Sequence, residues 1–111
     1  MHIPFPTSHI SSIAPFMLIH VDIWGGYRTS SISGAHYFLT IVDDYTRCTW
    51  VYLMRHKSEA HSLLQPFINL VENQFSTTIK VIRSNNGHEF NIPSFYFDKG
   101  IIHQTNYVST P

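Results

Sequence analysis

The apolar positions of this chain change their period along its length, from the spacing of strands to that of a helix and back. Residues 16–24 form a nearly continuous apolar run that ends at Gly25 and Gly26, which is typical of a central strand buried on both faces. Residues 37–42 and 48–54 are two further strand-like runs, each preceded by turn-forming or polar residues. Three strands with such connections predict an antiparallel meander.

The next segment has helical spacing. Its apolar residues recur every three or four positions: Ala60, Leu63, Leu64, Phe67, Ile68, Val71 and Phe75. Ser58 is placed to cap the start of this helix, and Glu59 lies in the first turn, where the helix dipole favours an acid. Pro66 removes a backbone donor at a cost of about 3 kcal/mol in a helix interior. We therefore expect a kink at Pro66, or a helix that begins again near it.

The rest of the chain predicts two strand–helix–strand crossovers. Residues 79–83 form a fourth strand, residues 93–99 a short helix, and residues 101–107 a weaker fifth strand. Such crossovers are right-handed and join parallel strands. Residues 1–15, rich in proline and serine, are expected to be a loop-like arm or linker. Residues 16–111 are then one domain built on a mixed five-stranded α/β sheet.

The charge of the chain gives no general signature of nucleic-acid binding. Seven basic and seven acidic residues give a formal net charge of zero, whereas binders of nucleic acid are usually basic. The one basic concentration is residues 55–57 together with Lys80 and Arg83. These side chains are interpreted as a solvated strand end and helix start, with contact to a DNA backbone as the alternative.

Cysteine and histidine usage indicates no metal module. The single cysteine, Cys48, cannot form an internal disulfide and is expected to be a reduced, half-buried strand residue. The eight histidines lack the paired spacing of zinc ligands. No run reaches the roughly 18 apolar residues that a membrane span needs, and the start is not a signal peptide.

Asp22 is the residue that strand formation does not explain. It lies inside the apolar run of residues 16–24, although aspartate is depleted in strands and costly to bury without a partner. His20 precedes it by two positions and therefore points to the same sheet face. His20 either borders a site at Asp22 or makes a local hydrogen bond.

Several ordered stretches resemble the integrase catalytic core of copia-type LTR retrotransposons. The matching stretches are FMLIHVDIWG (16–25), YFLTIVDDYTR (37–47), TWVYL (49–53), KSE (57–59), QF (74–75), IK (79–80), IRSNNGHEF (82–90), GIIHQ (100–104) and TP (110–111). The resemblance covers residues 14–111 and implies a ribonuclease H-like fold. It also implies that the fold is truncated at its C-terminal side, which should leave apolar sheet surface exposed and stability marginal.

The resemblance implies a metal site that is broken in this chain. In that family two acids on neighbouring strands and a Glu on a later helix bind two divalent ions, which stabilise the attacking and leaving oxygens of phosphodiester chemistry. The first acid is carried over to Asp22, the expected catalytic residue and metal ligand. The second falls on Asn85, a degenerate position where the family has Asp, and the third is expected beyond residue 111. Mg²⁺ is therefore the implied cofactor, not bound tightly here.

The other acidic residues near these positions are not expected to be metal ligands. Glu89 would share a face with Asn85 if residues 86–90 were helical, but the family has Glu here without using it as the second ligand. Asp43 and Asp44 are interpreted as turn formers, with Arg47 as a hydrogen-bonding partner.

Further departures from the family pattern are Gly26 for Pro, Tyr107 for Cys, and Pro66 within the helix. With Asn85, they suggest a decayed element copy. The resemblance implies a fragment of a retrotransposon integrase core, whose family role is nucleic-acid binding and metal-dependent DNA integration, and which is catalytically inactive here. The alternatives are a non-catalytic interaction module, or a decayed element with no molecular role. The family implies DNA and a second copy of the chain as partners, and a nuclear location for which the chain carries no targeting signal.

Overall fold

The computed structural model describes residues 12–25, 36–85 and 88–105, and it contains every strand and helix that the sequence predicts. In chain order these are β1 (Leu18–Gly25), β2 (Tyr37–Asp43), β3 (Thr49–Met54), α1 (Glu59–Phe75), β4 (Val81–Ser84), a 3₁₀ turn (His88–Phe90), α2 (Pro93–Lys99) and β5 (Ile102–Thr105). The predicted arm over residues 1–11, the turn at Gly26, and Tyr107 lie outside the described residues.

The strands form one sheet in the order β3-β2-β1-β4-β5. The pairs β1–β2 and β2–β3 are antiparallel, whereas β1–β4 and β4–β5 are parallel. The meander and the two crossovers are therefore confirmed. β1 is the central strand, as predicted, but it is buried on both faces only at its start, because Leu18 and Ile19 are fully buried whereas Trp24 is 51% exposed.

Both helices pack on one face of the sheet. Alternate strand residues, such as Ile19 and Val21 of β1 and Ile82 of β4, are fully buried and join one core cluster with the inner side of α1 and with Tyr96 of α2. The Tyr96 hydroxyl donates a 2.6 Å hydrogen bond to the Phe90 carbonyl oxygen, which ties α2 to the 3₁₀ turn. Each fully buried aliphatic side chain contributes about 2 kcal/mol through its removal from water.

The opposite face of the sheet exposes apolar side chains. Trp24, Phe38 and Leu53 lie in one row across β1, β2 and β3, and Val51 lies beside them on β3. Trp24 is 51% exposed, Val51 56% and Leu53 57%. We call these four residues the open face. The exposed apolar surface expected from the sequence is thus present.

The structure of α1 excludes one of the two outcomes predicted at Pro66. The helix runs without a break through Pro66, so it does not begin again there, and the kink stays a prediction. Pro66 and Ser62 are exposed, so the Ser62 carbonyl oxygen, which loses its usual partner, can bond to water. Ser58 occupies the N-cap position but makes no side-chain cap hydrogen bond, because its backbone is already helical. Instead Glu59 Oε2 accepts hydrogen bonds from the backbone N–H groups of the first two residues of the β3–α1 connection, Arg55 (3.1 Å) and His56 (3.0 Å).

The prediction for Cys48 is wrong in its burial. The thiol is free but exposed, and the residue precedes β3. Its backbone N–H donates to Thr46 Oγ1 within the tight β2–β3 connection. Cys48 is therefore a connection residue without the sheet neighbours that would have buried it.

Candidate functional site

Asp22 lies within β1, three residues before its end, and Asn85 directly follows β4, the neighbouring parallel strand. The register pairs Val21 of β1 with Ser84 of β4, so Asp22 and Asn85 follow side by side on strands about 4.8 Å apart. Asp22 is partly buried and Asn85 is exposed. The fold thus brings together the two positions that the resemblance implies.

The surroundings of Asp22 disfavour its charge. Desolvation by burial raises the pKa of the Asp22 carboxyl, and the positive charge that His20 carries when protonated opposes this only in part. A carboxylate that serves as a metal ligand is normally held ionised by the positive charge of the cation. The surroundings of Asp22 therefore raise the free energy of its ionised form.

His20 makes the local hydrogen bond that was one of its two predicted roles. Its Nε2 atom lies 2.7 Å from Asp44 Oδ1, while Ser12 Oγ donates to Asp44 Oδ2 at 2.5 Å. Arg47 lies 3.9 Å from the same carboxylate. Desolvation is the largest influence and would raise the pKa of Asp44, but the bonds from Ser12 and His20 and the charges of His20 and Arg47 together lower it.

Asp43 organises the turn between β2 and β3. Its carboxylate is fully buried and accepts hydrogen bonds from the backbone N–H of Phe16 (2.7 Å) and from the backbone N–H (3.0 Å) and hydroxyl (2.7 Å) of Thr46. The backbone N–H of Asp44 donates to the Leu18 carbonyl oxygen. Both acids therefore have the turn-forming role predicted for them.

Sequence reasoning missed the contacts that hold the end of β4. Ser84 Oγ donates to the Asn85 carbonyl oxygen at 2.9 Å and lies 2.8 Å from His103 Nε2 on β5. Burial lowers the pKa of His103, which favours its neutral form. The parallel pairing of residues 81–84 with 102–105 was the signal that could have revealed this contact, but it depends on the exact register.

The residues present do not fit a pair of divalent ions. In the described ranges no group of three or more His, Cys, Asp or Glu side chains is placed to hold a metal. Asn85 offers only a neutral oxygen, which binds Mg²⁺ more weakly than a carboxylate. Glu89 lies in the 3₁₀ turn and lines a pocket with Arg55 and Lys57, and neither Asp22 nor Asn85 lines that pocket.

The basic residues that the sequence groups together are separated in space. Arg55 and Lys57 line the pocket near Glu89. Lys80 directly precedes β4, at the end of that strand opposite to Asn85. Arg83 lies on β4, and its Nε donates to Gln104 Oε1 at 2.8 Å. These residues do not form one continuous basic surface.

The fold is similar to that of solved retroviral integrases. A chain of the simian T-cell lymphotropic virus intasome, in complex with PP2A regulatory subunit B56 gamma, matches with a TM-score of 0.64 and 19% identity over 92% of this chain and 36% of that chain. The HTLV-2 integrase catalytic core domain, in complex with magnesium in its dimeric form, matches with a TM-score of 0.61 and 18% identity over 85% of this chain and 63% of that domain. The chain therefore has the ribonuclease H-like fold of integrase catalytic cores.

Curated relatives define the family. The chain is 37% identical over 110 residues to the retrovirus-related Pol polyprotein from transposon RE2 of Arabidopsis thaliana, and 31% identical over 112 residues to that from transposon TNT 1-94 of Nicotiana tabacum. Each match covers 98% of this chain. The chain belongs to the family of retrovirus-related Pol polyproteins of transposons.

The matched region is a small part of those relatives. The chain spans 8% of the length of each of the two polyproteins. No family model matches it. Within the described residues, no helix is long and apolar enough to cross a membrane.

Proposed function

We propose that this chain is an integrase-core segment whose family role is nucleic-acid binding and DNA integration, and that it does not itself catalyse strand transfer. The observation that supports the proposal is the register that pairs Val21 of β1 with Ser84 of β4 and so sets Asp22 beside Asn85. The resemblance implies an acid at both positions, and at the second of them this chain has a neutral amide.

The chemistry of phosphodiester transfer explains why this replacement matters. Both the attacking and the leaving oxygen need a nearby cation, and the cations need anionic oxygen ligands to hold their spacing. A magnesium-bound HTLV-2 core has this fold. Here Asn85 offers a neutral oxygen where the resemblance implies a second acid, and this weakens the site for a cation.

A magnesium titration of the whole chain tests this proposal. We expect weak binding by the natural sequence, and an affinity at least about tenfold higher in Asn85→Asp, because a second carboxylate doubles the anionic ligand charge. Asp22→Ala in the Asn85→Asp background should remove that gain, and Asn85→Ala should leave the affinity of the natural chain unchanged. Tight stoichiometric binding by the natural chain that is lost in Asp22→Ala would show that the site is intact.

A DNA-binding titration at several salt concentrations tests the nucleic-acid role. The zero net charge predicts weak binding that depends on few local cations, so the slope of log K against log salt should be shallow, about −2 for two phosphate contacts. No binding to duplex or single-stranded DNA at low salt would contradict this part of the proposal.

The open face favours a second candidate function, that of a non-catalytic interaction module. Trp24 and Phe38 stack with ring centroids 6.4 Å apart, and Val51 and Leu53 continue the apolar surface on β3. Exposed apolar patches of this kind mark interaction surfaces. Sedimentation of the chain over a range of concentrations separates the two candidates. Self-association would support the interaction module, whereas a chain that binds DNA and stays monomeric at all concentrations would support the first candidate.

A further inference from the structure

A pocket with basic side chains lies where β1 ends and β2 begins, and it has no role in the function proposed above. It is open, has a volume of about 540 Å³, and lies between the start of β2, the connection from β3 to α1, and the 3₁₀ turn. Its lining consists of His36 and Tyr37, residues 55–58, and Glu89. Pockets of this size hold small organic molecules rather than single ions.

The side chains that line the pocket determine which chemical groups a ligand needs in order to bind there. Six of the seven lining side chains can donate hydrogen bonds, while Glu89 alone is restricted to accepting them when ionised. Arg55 and Lys57 carry permanent charge, so two cations face one carboxylate. A ligand that matches this lining has an anionic group rich in acceptor oxygens and, elsewhere, a hydroxyl or amino group that can donate to Glu89.

The connection that carries the cations is held in shape by its own hydrogen bonds. Glu59 Oε2 accepts from the backbone N–H groups of Arg55 and His56, and the backbone N–H of Glu59 donates to the His56 carbonyl oxygen at 3.1 Å. The charge of Glu59 is therefore already engaged by the backbone. The side chains of Arg55 and Lys57 are exposed and remain available to a ligand.

The pocket lies at the end of the sheet where β1 ends and β2 begins. Tyr37 pairs with Gly25, the last residue of β1, and Gly25 follows Asp22 by three positions, about 10 Å along the strand. Glu89 lies in the 3₁₀ turn that follows Asn85. Tyr37 points to the sheet face opposite to that of Asp22, so a nucleic-acid strand would contact both positions by passing around the end of β1.

We propose that the pocket binds a phosphorylated nucleoside, with the phosphate against Arg55 and Lys57 and with Glu89 accepting a hydrogen bond from the nucleoside. A free nucleotide and one unit of a nucleic-acid strand share this chemistry. The assignment to a nucleic-acid strand rests on the proposed nucleic-acid role, whereas the assignment to phosphate and nucleoside rests on the pocket alone.

The test uses three probes with the whole chain: inorganic phosphate, deoxyadenosine monophosphate, and a short single-stranded oligodeoxynucleotide. Backbone NMR signals of residues 36–37, 55–58 and 89 should shift with the monophosphate. Arg55→Ala and Lys57→Ala should each weaken its binding about tenfold, since a hydrogen bond to a charged group is lost. Lys80→Ala, a matched exposed cation at the other end of β4, should leave binding unchanged. With the oligonucleotide, Lys57→Ala should also reduce the salt slope by about 1.

Glu89→Gln separates nucleoside recognition from simple attraction of anions. It should strengthen binding of inorganic phosphate, because a repelling charge is removed. The monophosphate should gain less, because a neutral amide oxygen accepts the nucleoside hydrogen bond less strongly. An equal gain for both probes would overturn the role assigned to Glu89.

The outcomes distinguish this inference from the proposed function. Oligonucleotide binding that is unchanged in both Arg55→Ala and Lys57→Ala would overturn the pocket assignment and leave the nucleic-acid role standing. Monophosphate binding with the expected variant pattern, but no oligonucleotide binding, would support the pocket and contradict the nucleic-acid role. Monophosphate shifts confined to other parts of the chain would overturn the pocket assignment.

Discussion

Asp43 shows at the scale of a single residue how the fold accommodates a buried charge. Its carboxylate has no exposed surface, yet three donors from Phe16 and Thr46 satisfy it. Such hydrogen bonds replace those that water would make and offset the cost of desolvating the side chain. The same bonds fasten the residues before β1 to the turn after β2.

Asp43→Asn should destabilise the chain by about 3 kcal/mol, because an amide group replaces one acceptor oxygen and leaves a buried donor unsatisfied. The measurement is urea unfolding at neutral pH. Asp98→Asn is the matched control, since Asp98 is exposed on α2, and it should change the free energy of unfolding by no more than about 0.5 kcal/mol. Equal small effects of the two substitutions would show that Asp43 does not have this structural role.

Asp22 should make the stability of the chain depend on pH in the opposite sense to a paired acid. Its pKa is raised by desolvation in the folded state, so the folded protein binds the proton more tightly than the unfolded chain does. The stabilisation that protonated Asp22 contributes is therefore fully present below the pKa of the unfolded chain, and it is lost as the pH rises through the pKa of the folded protein. Asp22→Asn, which removes this titration, should make the chain more stable than the natural sequence at pH 7.

The comparison for Asp22 is urea unfolding of both chains at pH 7 and at about pH 3. The difference in the free energy of unfolding should shrink at the lower pH, where the natural carboxyl is protonated in both states. A natural chain that is the more stable one at pH 7 would contradict the raised pKa, and would instead indicate a carboxylate that is stabilised by a partner.

At the scale of an element, α1 contains a proline that its position makes tolerable. Apolar spacing predicted the helix, and the cluster Ala60, Leu64, Phe67, Ile68 and Val71 is buried as that spacing requires. Pro66 lies on the outer side, where its ring displaces no core residue. Burial of the inner side thus holds the helix together across a local defect, which propensity alone did not predict.

Pro66→Ala should stabilise the chain by about 2 kcal/mol. The substitution restores the hydrogen bond to the Ser62 carbonyl oxygen, and the helix-propensity gain exceeds the lost restriction of the unfolded chain. Chemical denaturation measures the change, and the denaturant dependence should stay the same. Ser62→Ala, an exposed substitution one turn earlier that restores no backbone bond, should have a much smaller effect. A destabilised Pro66→Ala chain would mean that the proline is required for the helix geometry.

At the scale of the whole molecule, the sheet is covered by helices on one face only in the described residues. A domain of this size already buries a limited fraction of its surface, and the open face reduces that fraction further. The family resemblance predicted exposed apolar surface on the sheet, and the structure shows it at Trp24, Val51 and Leu53. We expect a free energy of unfolding below about 5 kcal/mol and a low melting temperature.

Leu53→Lys should lower self-association of the chain at high concentration, because it puts a charge on the exposed apolar surface of β3. Sedimentation velocity over a concentration series measures this. Thr49→Lys is the matched control, because Thr49 is exposed on the same face of the same strand but removes no apolar surface when replaced. Equal effects of the two lysines would attribute the change to charge alone, and a chain that stays monomeric throughout would exclude association through the open face.

The sequence by itself determined the elements, their order and the anomaly at Asp22. Apolar period and turn-forming residues are local properties, and a carboxylate inside an apolar strand is visible without knowledge of its neighbours. The tertiary structure alone decided three features: that Ser84 and His103 hold the end of β4, that Arg55 and Lys57 meet Glu89 in one pocket, and that Cys48 is exposed. The first two depend on strand order and register, which bring together residues that are far apart in the chain and that no local pattern connects, whereas the exposure of Cys48 depends on where β3 begins.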